Sequence, residues 1–426
     1  MKDDSKNQNQ DDSKNQNQDD GNNFNEDNQP TAEELRQARL NFFKQDQQAD
    51  RAKEPAFGQE EVENFLQSDL AKDDDIEEEK EEGDDAEIQS KIKQEMTRYE
   101  AESEDKKIRY VIAQRGQNDY WTVFFKQKFD LSKQSVSIRF PGEAGIGVGP
   151  FREYLTLCMN LFSFCPLTFS SGDAACLNAL PLNVRNDDYY RLGQLSAVSI
   201  FYIGRGPSLH PGLVNYIFEE EPGSLTSVDD GALQSYLKEI ENGNFDRLYE
   251  KKIVPQSSTE ENKELFALSY VLFDNESAIQ QFKKGIKSIT PTLLSKKHFA
   301  YLKKFFLPSL KPLSFFDFMA LCKFVVTEEA GSNRERIVKG LICDIELYFC
   351  EVGNGDKPDV TLEKLLFLFT GTESVPIFGF DKPIEFFFDA DKWSISTCGL
   401  VVIFPLKDTI KNLEIAVKFG SGYASV

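Results

Sequence analysis

The chain has 426 residues, of which 40% are hydrophobic and 36 are Phe, enough for a sizeable folded core. Its formal net charge is −22, and residues 1–100 contribute most of it, with 30 Asp and Glu against 13 Lys and Arg. The sequence has no Lys/Arg cluster, no apolar run of about 20 residues and no hydrophobic signal segment, which argues against nucleic-acid binding, a membrane span and secretion. We therefore expect an intracellular, cytoplasmic protein.

The cysteine and histidine patterns argue against a metal site. No Cys-x-x-Cys pair is present, and the chain has only two histidines, His210 and His298. Structural zinc sites need several Cys or His ligands at short spacings, so we expect no metal and no other cofactor. Thiols without disulfides fit a reducing compartment. The seven cysteines lie at positions 158, 165, 176, 322, 343, 350 and 398.

Residues 1–100 have the composition of a disordered acidic tail. The octapeptide DDSKNQNQ occurs twice in tandem over 3–18, and such polar repetition cannot bury enough apolar surface to offset chain entropy. Two amphipathic helices are predicted within the tail, at 31–43 and 58–70, followed by an acidic linker at 73–87. These helices either dock a substrate or regulator or form only transiently in a solvated tail.

The first folded region is predicted over residues 101–300. At 135–140, SVSIRF alternates apolar and polar residues, as a half-buried strand does. A glycine-rich turn, GEAGIGVGP, connects this strand to a helix, FREYLTLCMNLF. We interpret the turn as a tight connection and not a phosphate loop, because it has neither GxGxxG spacing nor a following Lys-Ser/Thr. The apolar stripe of the helix consists of Phe151, Tyr154, Leu155, Cys158 and Phe162.

Residues 187–218 predict a long helix, a glycine-proline break and a second helix. We expect the long helix at the centre of a mainly helical region, because its small residues permit close approach of another helix. These small residues are Gly193, Ser196 and Ala197. His210 caps or lines the break, and the segment Leu225–Ile289 is predicted to continue helical.

The C-terminal region, residues 305–426, predicts a helix and two strands around one cysteine. LEKLLFLF has helical periodicity and stops at Gly371, and IEFFF and LVVIF are apolar runs typical of strands. Cys398 falls in the short segment between these strands. A thiol on a loop between two rigid strands is well placed to face a partner, whereas a packing cysteine more often lies inside an apolar run.

Five motifs occur along the chain in the order SIRFPGEAGIGVGPFREYLTLCMNLF, YYRLGQLSAVSIFYIG, QQFKKGI, LLFLFTGTESVPIFGF and Thr397-Cys398 with Pro405. In this order they resemble the motifs of one family, the HECT ubiquitin-protein ligases. SIRFPGEAGIGVGPFREYLTLCMNLF resembles the family's strand, glycine turn and helix, with its Arg-Glu-aromatic step at Arg152, Glu153 and Tyr154. YYRLGQLSAVSIFYIG is similar to the central N-lobe helix of the family, and QQFKKGI to the end of that lobe. LLFLFTGTESVPIFGF resembles a further family run, with matches at Thr370, Gly371, Pro376, Gly379 and Phe380.

The most specific part of the resemblance surrounds Cys398. Thr397-Cys398 is followed seven residues later by Pro405, which is the spacing of the family's catalytic loop. Tyr423 stands fourth from the end, where the family keeps a phenylalanine that is thought to fold back onto the donor ubiquitin. The alternative for Tyr423 is a frayed terminus. The resemblance covers about residues 108–426.

The chain also departs from the family around the cysteine. Ser396 stands where the family usually has His, and Gly399 and Leu400 stand where it has Phe-Asn. The usual Leu-Pro pair before the cysteine is replaced by Lys-Trp. The segment at about 225–273 is short and poorly matched, and the family docks its ubiquitin-conjugating enzyme there. The sequence therefore indicates the transfer chemistry at Cys398 more clearly than it indicates which conjugating enzyme binds.

The resemblance implies an α+β fold, namely a bilobal HECT domain preceded by the disordered acidic tail. It implies a larger, mainly helical N-lobe over 101–300 and a smaller α/β C-lobe over 305–426. As a ubiquitin-protein transferase, the chain would accept ubiquitin as a thioester on Cys398 from a charged ubiquitin-conjugating enzyme and pass it to a lysine of a protein substrate. The implied partners are ubiquitin, the conjugating enzyme and protein substrates.

Several residues near Cys398 have two interpretations each. In the ubiquitin transfer that the resemblance implies, Thr397 either donates a hydrogen bond to the tetrahedral intermediate or only fixes the loop. Lys392 and Lys407 favour the thiolate, or they are solubilising surface charges. Asp389 or Asp391 accepts the proton of the substrate amine, or each is a turn residue.

Two other functions stay open. The altered residues around Cys398 favour, as an alternative, a catalytically impaired HECT-like scaffold or ubiquitin-binding protein. A Cys-His hydrolase is a different class, and it needs His210 or His298 within hydrogen-bond reach of Cys398. Both histidines lie in segments that we assign elsewhere in the fold.

Overall fold

The structure is a computed structural model that describes residues 82–104, 106, 108–114, 120–128, 130–142, 147–244, 259–308 and 312–419. These residues combine helices with short strands, in agreement with the predicted α+β class. The tandem repeat, the two predicted tail helices and Tyr423 lie outside the described residues. All described residues belong to one compact unit of the chain.

Residues from Ile88 to Phe306 build the first core. Strands β1 (Ile108–Ile112) and β2 (Ser135–Arg139) pair in parallel, and β3 (Thr168–Ser171) and β4 (Ala174–Leu177) form an antiparallel pair. The helices are α1 (Glu82–Glu104), α2 (Tyr120–Gln127), α3 (Val148–Asn160), α4 (Pro181–Arg185), α5 (Asp188–Ile203), α6 (Pro211–Ile217), α7 (Gly231–Glu241), α8 (Thr259–Val271), α9 (Glu276–Ile289) and α10 (Phe299–Leu302).

Helix α1 corrects the predicted extent of the acidic tail. The composition predicted a tail that extends to residue 100, whereas the structure folds Glu82–Glu104 as a helix packed on the first core. The buried residues of α1 are Ile88, Ile92 and Tyr99. They form one narrow stripe in a strongly charged segment. The Glu95 carboxylate accepts hydrogen bonds from the hydroxyls of Thr290 and Thr292. This polar anchor depends on tertiary structure, so hydropathy alone does not reveal it.

Helices α5 and α9 pack at the centre of the first core, as the small residues of α5 predict. Gly193 lies directly against the carbonyl oxygen of Phe282, and Gly285 lies against the carbonyl oxygen of Tyr190. A side chain at either glycine would collide with the backbone of the other helix. Ser196 and Ala197 are also fully buried. The two helices therefore approach at backbone distance.

Other predictions for this region are confirmed by the structure. The strand predicted at 135–140 is β2, and the helix after the glycine-rich turn is α3. Helix α5 ends at Gly204, whose φ of 71° lies in the left-handed region that glycine accommodates. His210 caps α6, because its Nδ1 accepts a hydrogen bond from the N–H of Gly212.

Residues from Phe318 to Leu413 build the second core. Its sheet has the order β5-β6-β8-β7, with β5, β6 and β8 parallel and β7 antiparallel to β8. The elements are α11 (Phe315–Ala320), β5 (Cys322–Phe324), α12 (Asn333–Gly353), α13 (Leu362–Thr370), β6 (Ile384–Asp389), β7 (Ser394–Ser396), β8 (Val401–Pro405) and α14 (Thr409–Phe419).

The predicted helix and both predicted strands of this region are confirmed as α13, β6 and β8. Helix α13 ends at Gly371, with φ 81°. Stacked rings of Phe386 and Phe404, 5.5 Å apart, join β6 to β8. Strand β7 was not predicted, since three residues, Ser-Ile-Ser, carry too little pattern to indicate a strand.

The junction segment, residues 371–381, leads from α13 to β6 and lies against the first core. A Cβ atom on Gly371 would lie only 2.8 Å from the carbonyl oxygen of Gly149 on α3. Ile377 and Phe378 also pack against the first core. The hydrogen bonds across this contact, donor first, are Thr156 Oγ1 to Gly371 O (3.0 Å), Asn160 Nδ2 to Glu373 Oε2 (3.1 Å), Arg205 Nη2 to Glu373 Oε2 (3.4 Å) and Ser374 Oγ to Ile203 O.

None of the helices in the described part of the chain is both long enough and apolar enough to span a bilayer.

We predict that Gly193→Ala lowers the free energy of unfolding by about 1–3 kcal/mol, the usual range for overpacking a core. The added methyl group would meet backbone atoms of α9, which cannot move aside as a side chain can. Urea unfolding followed by circular dichroism measures the change.

Gly340→Ala is the matched control, because Gly340 lies on α12 with open space around its Cα. There the same change should raise stability by about 0.5–1 kcal/mol through helix propensity. Equal effects at the two sites would contradict the close contact of α5 and α9.

Candidate active site

Cys398 lies at the exposed tip of the turn between β7 and β8. The Ser396 Oγ accepts a hydrogen bond from the N–H of Gly399 across this turn, at 3.2 Å. Leu400 anchors the far side of the turn, because its side chain is buried and only 3% of the residue is exposed. Its φ of 49° is unusual for a non-glycine residue. Local hydrogen bonding and one buried side chain thus hold Cys398 at the tip of the turn.

The Cys398 turn rests on the first turn of α3, which belongs to the first core. A Cβ atom on Gly149 would lie 2.9 Å from Sγ of Cys398, 2.8 Å from its backbone nitrogen, and in collision with Oγ1 of Thr397. A Cβ atom on Gly147, the N-cap residue with φ 135°, would lie 3.5 Å from the same sulfur. The absence of a side chain at Gly149 therefore allows this approach, whereas a Cβ atom at Gly147 would make only an ordinary contact with the sulfur.

Arg152 lies one helical turn after Gly149 on α3 and is buried, with 6% of its surface exposed. Burial lowers the pKa of its guanidinium, and the negative charges of Asp381 and Cys398 oppose that shift. Its Cζ lies 5.3 Å from the centre of the Phe380 ring. The guanidinium, which keeps its positive charge, therefore interacts electrostatically with the candidate nucleophile.

The other cysteines differ from Cys398 in their surroundings. Cys158, Cys165 and Cys176 are buried in the first core. Burial raises the pKa of the Cys158 and Cys176 thiols well above the ordinary range, and it raises that of Cys322 to about 12. Such thiols are poor nucleophiles. Cys343, on α12, is exposed as Cys398 is, but it is not among the residues that lie against the described glycines of α3.

Asp389, one of the two residues predicted as proton acceptors, has a structural role in a turn. Asp389 Oδ1 accepts hydrogen bonds from the backbone N–H groups of Asp391 (3.3 Å) and Lys392 (3.2 Å). These bonds lower the pKa of Asp389, so its carboxylate is a weaker base than an ordinary one. The turn interpretation of Asp389 is therefore the one that the geometry supports.

The remaining candidates are dispersed. Thr397 lies beside Cys398 with its hydroxyl against Gly149. Lys407 is exposed. His210 caps α6, and His298 is buried in the first core, so both occupy positions that are explained by folding. This placement gives no support to a Cys-His hydrolase.

Arg152 was missed as a site residue by the sequence analysis. The Arg-Glu-aromatic step drew attention to its position, but nothing in the local sequence places it beside a cysteine of the second core. Among the described residues, no group of three or more acidic, His or Cys side chains is arranged to hold a metal ion.

Neither the models of known protein families nor the curated proteins include one that matches this chain.

We predict that the cost of Gly149→Ala depends on the residue at position 397. The added methyl group would collide with the Thr397 hydroxyl and press on the Cys398 backbone, so we expect a loss of about 1–3 kcal/mol in unfolding free energy. In a Thr397→Ala background the collision is partly relieved. A double-mutant cycle by urea unfolding should therefore give a coupling energy of about 0.5–3 kcal/mol. Strictly additive effects would show that the turn and α3 are not in contact.

Proposed function

We propose that this chain is a HECT-type ubiquitin-protein transferase that carries ubiquitin as a thioester on Cys398. The observation that carries the proposal is the position of this thiol, exposed at the tip of a turn and set against the N-terminus of α3 beside Arg152. Exposure of Cys398 admits a macromolecular donor, and the start of α3 and Arg152 both contribute positive potential near it. The ordered motifs that resemble this family support the same chemistry.

The proposed reaction has two acyl transfers. The Cys398 thiolate attacks the thioester carbonyl between ubiquitin and the conjugating enzyme, a new C–S bond forms, and the enzyme's cysteine leaves as a thiolate that takes up a proton. A substrate lysine amine then attacks the Cys398 thioester, forms an isopeptide bond, loses a proton and releases Cys398. The first exchange is nearly isoenergetic, so the protein needs chiefly to expose and ionise the sulfur and orient the donor.

In this proposal the first core is the larger, mainly helical N-lobe and the second core is the smaller α/β C-lobe. The first core contains α1 to α10, and the second carries Cys398 on its mixed sheet. The junction segment then joins the two lobes on the face where Cys398 meets α3. The proposed donor is a charged ubiquitin-conjugating enzyme, and the acceptors are lysines of substrate proteins.

A HECT-like scaffold that binds ubiquitin without transferring it is the second candidate. Ser396, Gly399 and Leu400 differ from the residues that the family supplies around its cysteine. In this chain Ser396 and Gly399 are hydrogen-bonded to each other, and Leu400 is buried. These three residues thus build the turn that presents Cys398, which favours the transferase.

We predict that incubation with ubiquitin, its activating enzyme and a panel of conjugating enzymes gives a ubiquitin adduct on this chain that reducing agents cleave. A thioester is cleaved by thiols whereas an isopeptide is not, so gel electrophoresis with and without reductant identifies the bond. Cys398→Ala should abolish the adduct.

Cys343→Ala is the matched control, because Cys343 is also exposed but lies on α12. It should leave the adduct at the level of the unchanged protein. If no conjugating enzyme yields an adduct while circular dichroism shows an intact fold, the transferase proposal fails and the scaffold function is favoured.

We predict that Asp389→Asn leaves the discharge of ubiquitin from Cys398 to free lysine within about twofold of the unchanged rate. Asparagine keeps the oxygen that accepts the N–H groups of Asp391 and Lys392, so the turn is preserved. If Asp389 were the general base, its loss would slow single-turnover discharge by about 100-fold or more. Such a decrease, with thioester formation unchanged, would overturn the turn assignment.

A further inference from the structure

Arg152 carries a buried charge whose hydrogen bonding is incomplete. Only 6% of the residue is exposed, and within the described residues its Nε has no hydrogen-bond acceptor. A buried cation is costly unless opposite charges or acceptors compensate it. Buried polar groups without partners are rare in folded proteins, and their presence calls for a functional explanation.

The groups around this guanidinium come from four parts of the fold. Phe380 of the junction segment offers the face of its ring, and Asp381 and Cys398 supply negative charge. From the helices, Tyr202 on α5 interacts with Arg152, and Glu100 on α1 is hydrogen-bonded to Tyr202. Burial raises the pKa of both Tyr202 and Glu100. Of these groups, Asp381 interacts most strongly with the Arg152 cation, followed by the Cys398 sulfur.

The first turn of α3 adds a second source of positive potential at the same sulfur. Backbone N–H groups at the start of a helix have no partners within the helix, and they carry a partial positive charge. Sγ of Cys398 lies beside Gly147 and Gly149 at this start. Arg152 follows Gly149 by three residues, so both lie on one face of α3, and side chains on a helix lean toward its N-terminus. The two positive sources therefore converge on Cys398.

We propose that Arg152 is a positioning residue for Cys398, and that with the first turn of α3 it stabilises the thiolate while the second core rests on the first. The inference deepens the proposed function and rests on it for its biological role. A guanidinium suits this task because it keeps its charge even when burial lowers its pKa. The thiol is then activated by a residue that reaches it only through the contact between the two cores.

The test measures the alkylation of Cys398 in the full chain by iodoacetamide, followed by mass spectrometry of the Cys398 peptide. Arg152→Gln removes the charge and keeps a polar side chain, whereas Arg152→Lys keeps the charge. At pH 7 we expect Arg152→Gln to slow alkylation of Cys398 about tenfold and Arg152→Lys to slow it by less than about threefold. At about pH 9.5 the rates should converge, because the thiol then ionises without help.

Cys343, labelled in the same sample, is the internal control and should react at the same rate in all three proteins. Cys158 and Cys176 should stay unlabelled, which shows that the variants remain folded. Alkylation of Cys398 that is unchanged by Arg152→Gln, or slowed equally at pH 7 and pH 9.5, would overturn the inference. If Arg152→Lys slowed the alkylation of Cys398 as much as Arg152→Gln, the charge at position 152 would not matter, and the inference would be overturned as well.

Alkylation uses no ubiquitin, so this result is separable from that of the transferase assay. If Arg152 governs alkylation but no ubiquitin adduct forms, the proposed function fails while the role of Arg152 toward the thiol stands. If the adduct forms and Arg152→Gln changes neither its rate nor alkylation, the inference fails while the proposed function stands.

Discussion

The close approach of the Cys398 turn to α3 depends on the absence of a side chain at Gly149. Any Cβ there would press into Thr397 and the backbone of Cys398. Glycine weakens a helix interior by about 1 kcal/mol relative to alanine, yet near the helix start it allows another backbone to approach the unpaired N–H groups. Glycine at position 149 therefore lowers the helix propensity of α3 but permits the contact on which the candidate site depends.

This contact is supported by the junction segment. Gly371 provides a second close contact with α3, because a Cβ atom there would lie 2.8 Å from the carbonyl oxygen of Gly149 and 3.2 Å from the nitrogen of Glu153. The hydroxyl of Thr156 donates to the Gly371 carbonyl, and the Glu373 carboxylate accepts from Asn160 and Arg205. Helix α3 is thus held at both its first turn and its later turns by the second core. Two glycines and a few hydrogen bonds determine where Cys398 lies.

Local sequence patterns correctly predicted those helices and strands that are defined by their own residues. Helix α13 has apolar periodicity and a glycine stop, and β6 and β8 are dense apolar runs. Each of these is visible in a short window and was found. Helix α1 was missed because its narrow apolar stripe lies in an acidic segment and is stabilised by the bonds of Glu95 to the far end of the first core. Strand β7 was missed because three residues show no period.

The sequence by itself determined strands β6 and β8 and placed Cys398 in the segment between them, since these are local properties. The structure added β7 to that segment, so that Cys398 lies on the turn between β7 and β8. It also determined that α5 carries small residues for close packing. Only the tertiary structure decided which charge stands beside the thiol. The lysines near Cys398 in sequence were the natural candidates, whereas the fold brings Arg152 from a distant helix. Electrostatic interactions depend on distance in space and on burial, and neither quantity can be computed from the order of residues along the chain.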